Sequence, residues 1–273
     1  MNLNFLIGFP RTGSTWLYYN LVSNNVFVPE IKEIKFFDKN YKKGIDWYLK
    51  QFKGNKDCFD LSITYSLRKE ALILLKKHFP QSKIILFIRE PKERDISACT
   101  YRYANGLIEL DEIKNLILSP KKNIENLNTN ELWGTAGKYY SDHIKNIYEI
   151  FDTDQIVFYH YDDIKNNPER LLRSIFKECG IKKKLTNFKF VKSKINQRRK
   201  KRINPLFTKL IHGPFAETFK KLPFYGKLRE IYREIFAEKG NLDLKFNYDE
   251  NEKIAEIYSN EIKFISNLNY KKP

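Results

Sequence analysis

The sequence predicts an α/β fold, a parallel sheet flanked by helices on both faces and followed by a helical C-terminal extension. Three observations predict it. Short apolar, β-rich runs at 4–8, 59–62, 84–88 and 155–159 alternate with stretches of helical period, the pattern of strand-helix-strand units around a parallel sheet. A turn with two glycines joins the first run to the first helix. After Gly180 the alternation stops, and 206–268 reads as helices separated by Pro214, Pro223 and Gly240. The 273 residues suit one domain of this class: an α/β core over 1–180, a basic loop over 181–205, and the extension over 206–273.

Each element has its own warrant. Residues 4–8 form a short buried strand, and 10–15 a tight loop into a helix over 16–23. Trp47, Tyr48 and Phe52 sit at helical spacing after Gly44. Residues 59–62 read as a second strand and 68–78 as a helix rich in Leu and Lys. Ile84–Ile88 is uniformly apolar between Lys83 and Arg89, as a strand buried on both faces must be. Pro91 suits a helix start, with the helix running to about Tyr103. Tyr140, Ile144, Ile147 and Phe151 share one face of a helix over 136–151. A strand at 155–159 and a helix over 168–179, ending at Gly180, complete the core.

Composition excludes several classes. With 42% hydrophobic residues, 21 Phe, 17 Tyr and 3 Trp, the chain can bury enough surface to offset its ordering entropy, so it is not disordered. The longest apolar run is about the size of Ile84–Ile88, far short of the roughly 20 residues of a membrane span. Only Leu3, Phe5, Leu6 and Ile7 precede the first turn, too few for a signal-peptide core, so a cytoplasmic location is expected. Cys58, Cys99 and Cys179 are odd in number and lack redox or metal spacing, so they are expected as buried small hydrophobes rather than disulfides. His78, His143, His160 and His212 likewise lack metal-ligand spacing.

The net charge of +17 is concentrated. Between Lys182 and Arg202 stand eleven basic residues and no acidic one. A single-stranded nucleic-acid site would interleave aromatics with the charges, but Phe188 and Phe190 lie away from the densest cluster, and no nucleic acid is expected as partner.

The chemistry concentrates at Gly8-Phe9-Pro10-Arg11-Thr12-Gly13-Ser14-Thr15. Glycines five apart let backbone N–H groups converge on a phosphate, and the following helix N-terminus adds a favourable dipole. The spacing is P-loop-like, matching the start of G-x4-G-K-[ST], but Ser14 stands where the lysine belongs and Arg11 supplies the cation. Nor does Ile84–Ile88 end in the aspartate a magnesium-dependent NTPase needs; Arg89-Glu90 follows it.

These residues resemble a family. Pro10-Arg11-Thr12-Gly13-Ser14-Thr15-Trp16 resembles the P-[KR]-[ST]-G-[ST]-T-x loop of sulfotransferases that use 3′-phosphoadenosine 5′-phosphosulfate (PAPS) and release 3′,5′-adenosine bisphosphate (PAP). Lys32-Glu33-Ile34-Lys35-Phe36-Phe37 looks like the K-E-x-x-F-F segment of glycosaminoglycan sulfotransferases. The stretch from Asn40 to Tyr48 is similar to the N-Y-x-K-G-I-D-W-Y of heparan sulfate N-sulfotransferase. Arg89, Pro91, Arg94 and Ser97 follow their R-x-P-x-x-R-x-x-S block, and Tyr161-Asp162-Asp163-Ile164 and Asn167-Pro168 resemble later positions. In motifs the chain is most similar to the heparan sulfate N- and 3-O-sulfotransferase-like group and its bacterial relatives.

The resemblance implies transfer of a sulfuryl group from PAPS to a hydroxyl, or as second choice an amine, on a carbohydrate acceptor, with no metal required. It implies Glu33 as the base and Arg11 as the cation at the leaving phosphate, where electrostatic stabilisation without a metal suffices. Thr12, Gly13, Ser14 and Thr15 are implied at the 5′-phosphate, Arg89 and Ser97 at the 3′-phosphate, and Arg198 and Arg202 in a basic loop closing over the nucleotide. Lys35, Asp60 and Ser62 are implied near the acceptor. Leu61 replaces a lysine that the family carries there, so a heparan-like acceptor is not implied. The rival readings are a phosphate-loop kinase or NTPase and a basic nucleic-acid-binding module. Oligomeric state is left open.

Overall fold

Among the described residues four parallel strands form the sheet: β1 (Asn2–Leu6), β2 (Asp57–Asp60), β3 (Ile84–Ile88) and β4 (Ile156–His160), in the order β2-β1-β3-β4. The computed structural model describes residues 1–54, 56–127, 129–182, 191, 242 and 244–273. Phe5 stands between Asp60 and Ile84 in the ladder, and Ile84 in turn pairs with Ile156.

The apolar strands bury both faces, as a parallel sheet requires. Leu3, Phe5, Ile84, Leu86, Ile88, Ile156 and Phe158 point to one side, where they meet Leu72 and Leu75 of one helix and Ile144 and Ile147 of another. Leu6, Ile85, Phe87, Val157 and Tyr159 point to the other, against Trp16, Leu17 and Leu21 and against Leu171, Leu172 and Ile175. Among the described residues the helices, in chain order, are α1 (Ser14–Ser23), α2 (Ile45–Lys50), α3 (Lys69–His78), α4 (Pro91–Ala104), α5 (Leu110–Leu118), α6 (Thr129–Thr135), α7 (Tyr140–Ile150), α8 (Asp163–Asn166), α9 (Pro168–Glu178) and α10 (Tyr248–Ser266). A third cluster joins Cys99 of α4, Ile113 and Ile117 of α5, and Ile254 and Tyr258 of α10.

Local chemistry sets the boundaries. Pro91 opens α4, and the Glu90 carboxylate accepts from the amides of Lys92 and Glu93 at 3.2 and 2.6 Å, pairing negative charge with the positive helix end. Asn247 and Glu250 make a reciprocal capping box at the start of α10. Single residues border the sheet: Phe27 bridges to Cys58 beside β2, and Tyr270 to Phe158 beside β4. The Tyr270 ring stacks on His160 with centroids 3.5 Å apart.

The α/β prediction holds, with shifted boundaries. β1 begins at Asn2, because the Asn2 amide reaches the Lys56 carbonyl at 2.7 Å and buried Asn4 pairs with the Asn2 side chain. The segment 136–151 opens as a 3-10 turn over Ala136–Tyr139 before α7. Gly137 is required there, since a Cβ would collide with the Pro91 carbonyl and the Asp95 carboxylate. Helices α5 and α6 fall where the sequence suggests no element. All three cysteines are buried and free. Among the described residues no helix is long and apolar enough to cross a membrane. Residues 206–241 of the extension, and most of the basic loop, lie outside the described residues.

Candidate active site

From β1 the chain passes to β2 on one side, and from β2 it crosses back past β1 to β3 on the other, so the strand order reverses beside β1. That reversal opens a crevice at the carboxyl ends of β1 and β3, where open parallel sheets bind ligands. Residues 8–13 emerge there from β1, and Arg89 emerges from β3.

The loop is held from behind by its carbonyls. The Ser66 hydroxyl donates to the Gly8 carbonyl, Thr12 Oγ1 to Phe9 at 2.7 Å, Arg94 Nε to Pro10 at 3.0 Å, and Arg89 Nη1 to Arg11 at 3.5 Å. Tying these oxygens into the protein orients the loop's peptides, and the positive N-terminal end of α1 that follows is the end of a helix that favours an anion. Arg11 adopts φ 71° and Gly13 φ 109°. Gly13 is needed twice over, for its left-handed backbone and because a Cβ would strike Ile164.

Cations converge around this loop. Arg11 Nε donates to Ser97 Oγ at 3.3 Å, and its guanidinium lies over the Tyr101 ring at 4.8 Å. Arg89 is 8% exposed, pairs with Glu93 at 3.2 Å and lies over Tyr161 at 4.7 Å. Its Nε is buried with no hydrogen-bond partner among the described residues, a donor that a phosphate oxygen would satisfy. Lys32 places its ammonium 3.0 Å from Ser14 Oγ and 3.2 Å from Thr15 Oγ1. Burial lowers its pKa below the ordinary lysine value, with Glu33 opposing that shift and Arg11 adding to it. Two separate phosphate groups fit this donor set.

Glu33 is half-buried and pairs with Lys35 at 3.2 Å. Its segment is held by a knot below. Asp60 is fully buried, and its carboxylate accepts from the Ser62 amide and hydroxyl at 2.9 and 2.6 Å and from the Tyr48 and Tyr65 hydroxyls at 2.9 and 3.0 Å. Ser62 Oγ in turn accepts from the Lys35 amide at 2.9 Å, and the Tyr65 hydroxyl from the Phe36 amide at 2.8 Å. Burial raises the Asp60 pKa to about 6 against the hydrogen bonds that lower it. The geometry gives Asp60 and Ser62 the work of fixing the backbone that carries Glu33.

The structure thus brings together Arg11, Thr12, Gly13, Ser14, Thr15, Arg89 and Ser97, as the sequence suggested, and anchors Glu33 and Lys35 through Ser62 and Asp60. Arg198 and Arg202 lie outside the described residues. Val191 is described, and both its amide and its carbonyl bond to the side chain of buried Asn20, at 3.0 and 3.1 Å, tying the basic stretch to α1. Sequence reasoning missed Lys32 as a loop partner. The signal was available in the lysine absent at position 14.

Comparisons with known proteins agree with this geometry. A family model for the sulfotransferase domain matches residues 4–240. The chain is 27% identical over 186 residues to the bifunctional heparan sulfate N-deacetylase/N-sulfotransferase 1 of Caenorhabditis briggsae, covering 63% of this chain and 22% of that protein. It is 26% identical over 198 residues to the human bifunctional heparan sulfate N-deacetylase/N-sulfotransferase 2, covering 64% and 22%. The chain therefore spans about a fifth of the length of these curated relatives. Among solved structures, a sulfotransferase from Alicyclobacillus acidocaldarius superposes with a TM-score of 0.63 at 13% identity, covering 97% of this chain and 94% of that one. A mouse sulfotransferase, SULT7A1, complexed with PAP, superposes with a TM-score of 0.52 at 16% identity, covering 96% and 85%. With the phosphate loop in its crevice and the family match running through it, this chain belongs to the sulfotransferase domain family, whose members use PAPS as donor.

Proposed function

We propose that the protein transfers the sulfuryl group of PAPS to a hydroxyl on a carbohydrate acceptor, with Glu33 as the general base. The observation that carries this reading is the adjacency of Glu33 to Lys32, whose ammonium touches the loop hydroxyls of Ser14 and Thr15. A carboxylate, paired with Lys35 at 3.2 Å, is thereby carried by the residue that follows the cation at the loop.

The donor supplies an activated sulfuryl group on a phosphate leaving group. The residues divide the remaining work. Glu33 takes the acceptor proton as the new O–S bond forms and the bond from sulfur to the phosphate oxygen breaks. Arg11, Lys32 and the loop amides offset the charge left on the 5′-phosphate. Arg89, through its unsatisfied Nε, and Ser97 receive the 3′-phosphate, and Arg198 and Arg202 close over the nucleotide.

Transfer to an amine is the second reading, favoured by the N-sulfotransferase names of the curated relatives. The test uses radiolabelled PAPS with neutral polysaccharides and with de-N-acetylated amino-sugar polymers, comparing wild type and Glu33→Gln. Label in the neutral acceptors, lost by roughly two to four orders of magnitude in the variant, supports hydroxyl transfer with Glu33 as base. Label confined to amino polymers moves the acceptor to an amine, and undiminished transfer by Glu33→Gln removes Glu33 from the base role.

A further inference from the structure

We infer that Tyr258, on the C-terminal helix α10, is a positioning residue for the phosphate loop, acting through Asp95 and Arg94 on the Pro10 carbonyl. The four groups form one continuous chain of hydrogen bonds. The Tyr258 hydroxyl donates to Asp95 Oδ2 at 2.8 Å. Asp95 Oδ1 accepts from Arg94 Nη1 at 2.5 Å and from the Gly137 amide at 2.7 Å. Arg94 Nε donates to the Pro10 carbonyl at 3.0 Å, and the other end of its guanidinium is held by the carbonyls of Trp133 and Gly134. Arg94, Asp95 and Tyr258 are each 0% exposed.

The geometry makes this more than core packing. A guanidinium is a rigid planar fork, so fixing one edge fixes the direction of Nε. Nε holds the carbonyl of the Pro10–Arg11 peptide. Because that peptide is planar and trans, its N–H points away from the held oxygen, so the Arg11 amide is aimed to the side opposite Arg94. The relay thus sets the orientation of one loop donor and of the backbone carrying Arg11. Burial raises the Asp95 pKa, and the donors from Arg94, Gly137 and Tyr258 oppose that shift. Without the Tyr258 hydroxyl, the carboxylate that aligns Arg94 loses one of its few partners, which in a dry site is costly.

Helix α10 also carries a control. Glu261, 2% exposed, accepts from the Ser141 amide and hydroxyl at 2.7 and 2.8 Å and braces α7 rather than the loop. The inference rests on the phosphate role proposed for the loop, and the experiment separates the two. PAP binding to the full chain is measured by calorimetry, and melting temperature is recorded for each protein. No binding of PAP to folded wild type would sink the loop reading itself. With wild type binding, Tyr258→Phe should weaken PAP roughly tenfold, a typical coupling for groups in one network. Glu261→Gln should lower the melting temperature about as much as Tyr258→Phe does and leave affinity within about twofold of wild type. Tyr258→Phe combined with Arg94→Lys should bind no more weakly than Arg94→Lys alone. Asp95→Asn enters the same relay from its centre and should weaken PAP in the same direction. Wild-type affinity in folded Tyr258→Phe or Asp95→Asn, or an equal loss in Glu261→Gln, overturns the inference.

Discussion

Lys32 holds its ammonium 3.0 Å from the Ser14 hydroxyl, bridging 18 positions of sequence. Ser14 occupies the place where a nucleotide-binding loop carries its lysine. The cation has been moved from the helix to an adjoining loop, where it is half-buried and precedes Glu33. A lysine inside the loop would follow α1; Lys32 instead moves with the segment fixed by Asp60 and Ser62.

Lys32→Met should therefore lower kcat by roughly 10²- to 10³-fold, the loss typical of one donor aimed at developing charge. Steady-state kinetics with saturating donor check this. Lys32→Arg should restore part of the loss, and full activity in Lys32→Met would detach the ammonium from the reaction.

Arg89→Ala should weaken PAP roughly 10- to 100-fold, the range for charge-assisted hydrogen bonds left unmade. Arg89→Lys should recover little, because an ammonium reproduces neither the Nε donor nor the planar stack on Tyr161. Calorimetric titration distinguishes these outcomes, and wild-type affinity in either variant contradicts the assignment.

Gly13→Ala should destabilise the fold by about 1–3 kcal/mol through its φ of 109° and the collision with Ile164. Thermal unfolding should show a fall of several degrees. Gly54→Ala, where φ is 69° but no atom lies within 4 Å of an added Cβ, should cost less, since strain there is not compounded by a clash.

Acid stability should carry two opposed contributions. His143 is buried against Phe9, and desolvation lowers its pKa to about 3 from 6.5. The folded state excludes its proton, so this contribution is fully present above pH 6.5 and is lost as pH falls towards 3, by up to about 5 kcal/mol. Asp60, raised to about 6 from 3.8, has the opposite sign: its contribution is full below pH 3.8 and is lost as pH rises through 6. Denaturant unfolding at several pH values should show a flatter acid limb below pH 6.5 in His143→Phe. In Asp60→Asn, the fall in stability between pH 4 and 6 relative to wild type should disappear. An unchanged slope in either variant contradicts the corresponding contribution.

Much of the fold was legible because its strands are short and unambiguous. Ile84–Ile88 has the same bounds in the sequence reading as in the structure, since five consecutive apolar residues between charges have few alternatives. The loop of residues 8–15 was legible for a similar reason, because glycine spacing constrains backbone directly. Helix α5 was not: its N-cap is Glu109 rather than Ser or Thr, and its apolar face is completed by Ile254 and Tyr258, far along the chain. Asp60 illustrates the same limit at the site. The family resemblance implies that it lies near the acceptor, while its partners Tyr48 and Tyr65 become visible only when the chain is folded. Lys32 lay in plain sight beside Glu33, but its link to Ser14 depends on how two loops meet.

The bridges at Phe27 and Tyr270 have a consequence for how molecules of this protein meet one another. An exposed sheet edge offers unpaired amides and carbonyls to any extended chain, including another copy. On β2, Phe27 consumes the Asp57 carbonyl and the Phe59 amide at 3.0 and 2.9 Å; on β4, the Lys271 amide consumes the Phe158 carbonyl at 2.9 Å. Among the described residues each edge is met at these positions by a passing residue instead of a further strand. Deleting residues 269–273 should uncover these β4 groups and raise self-association above that of the full chain, which light scattering of the two proteins side by side would register.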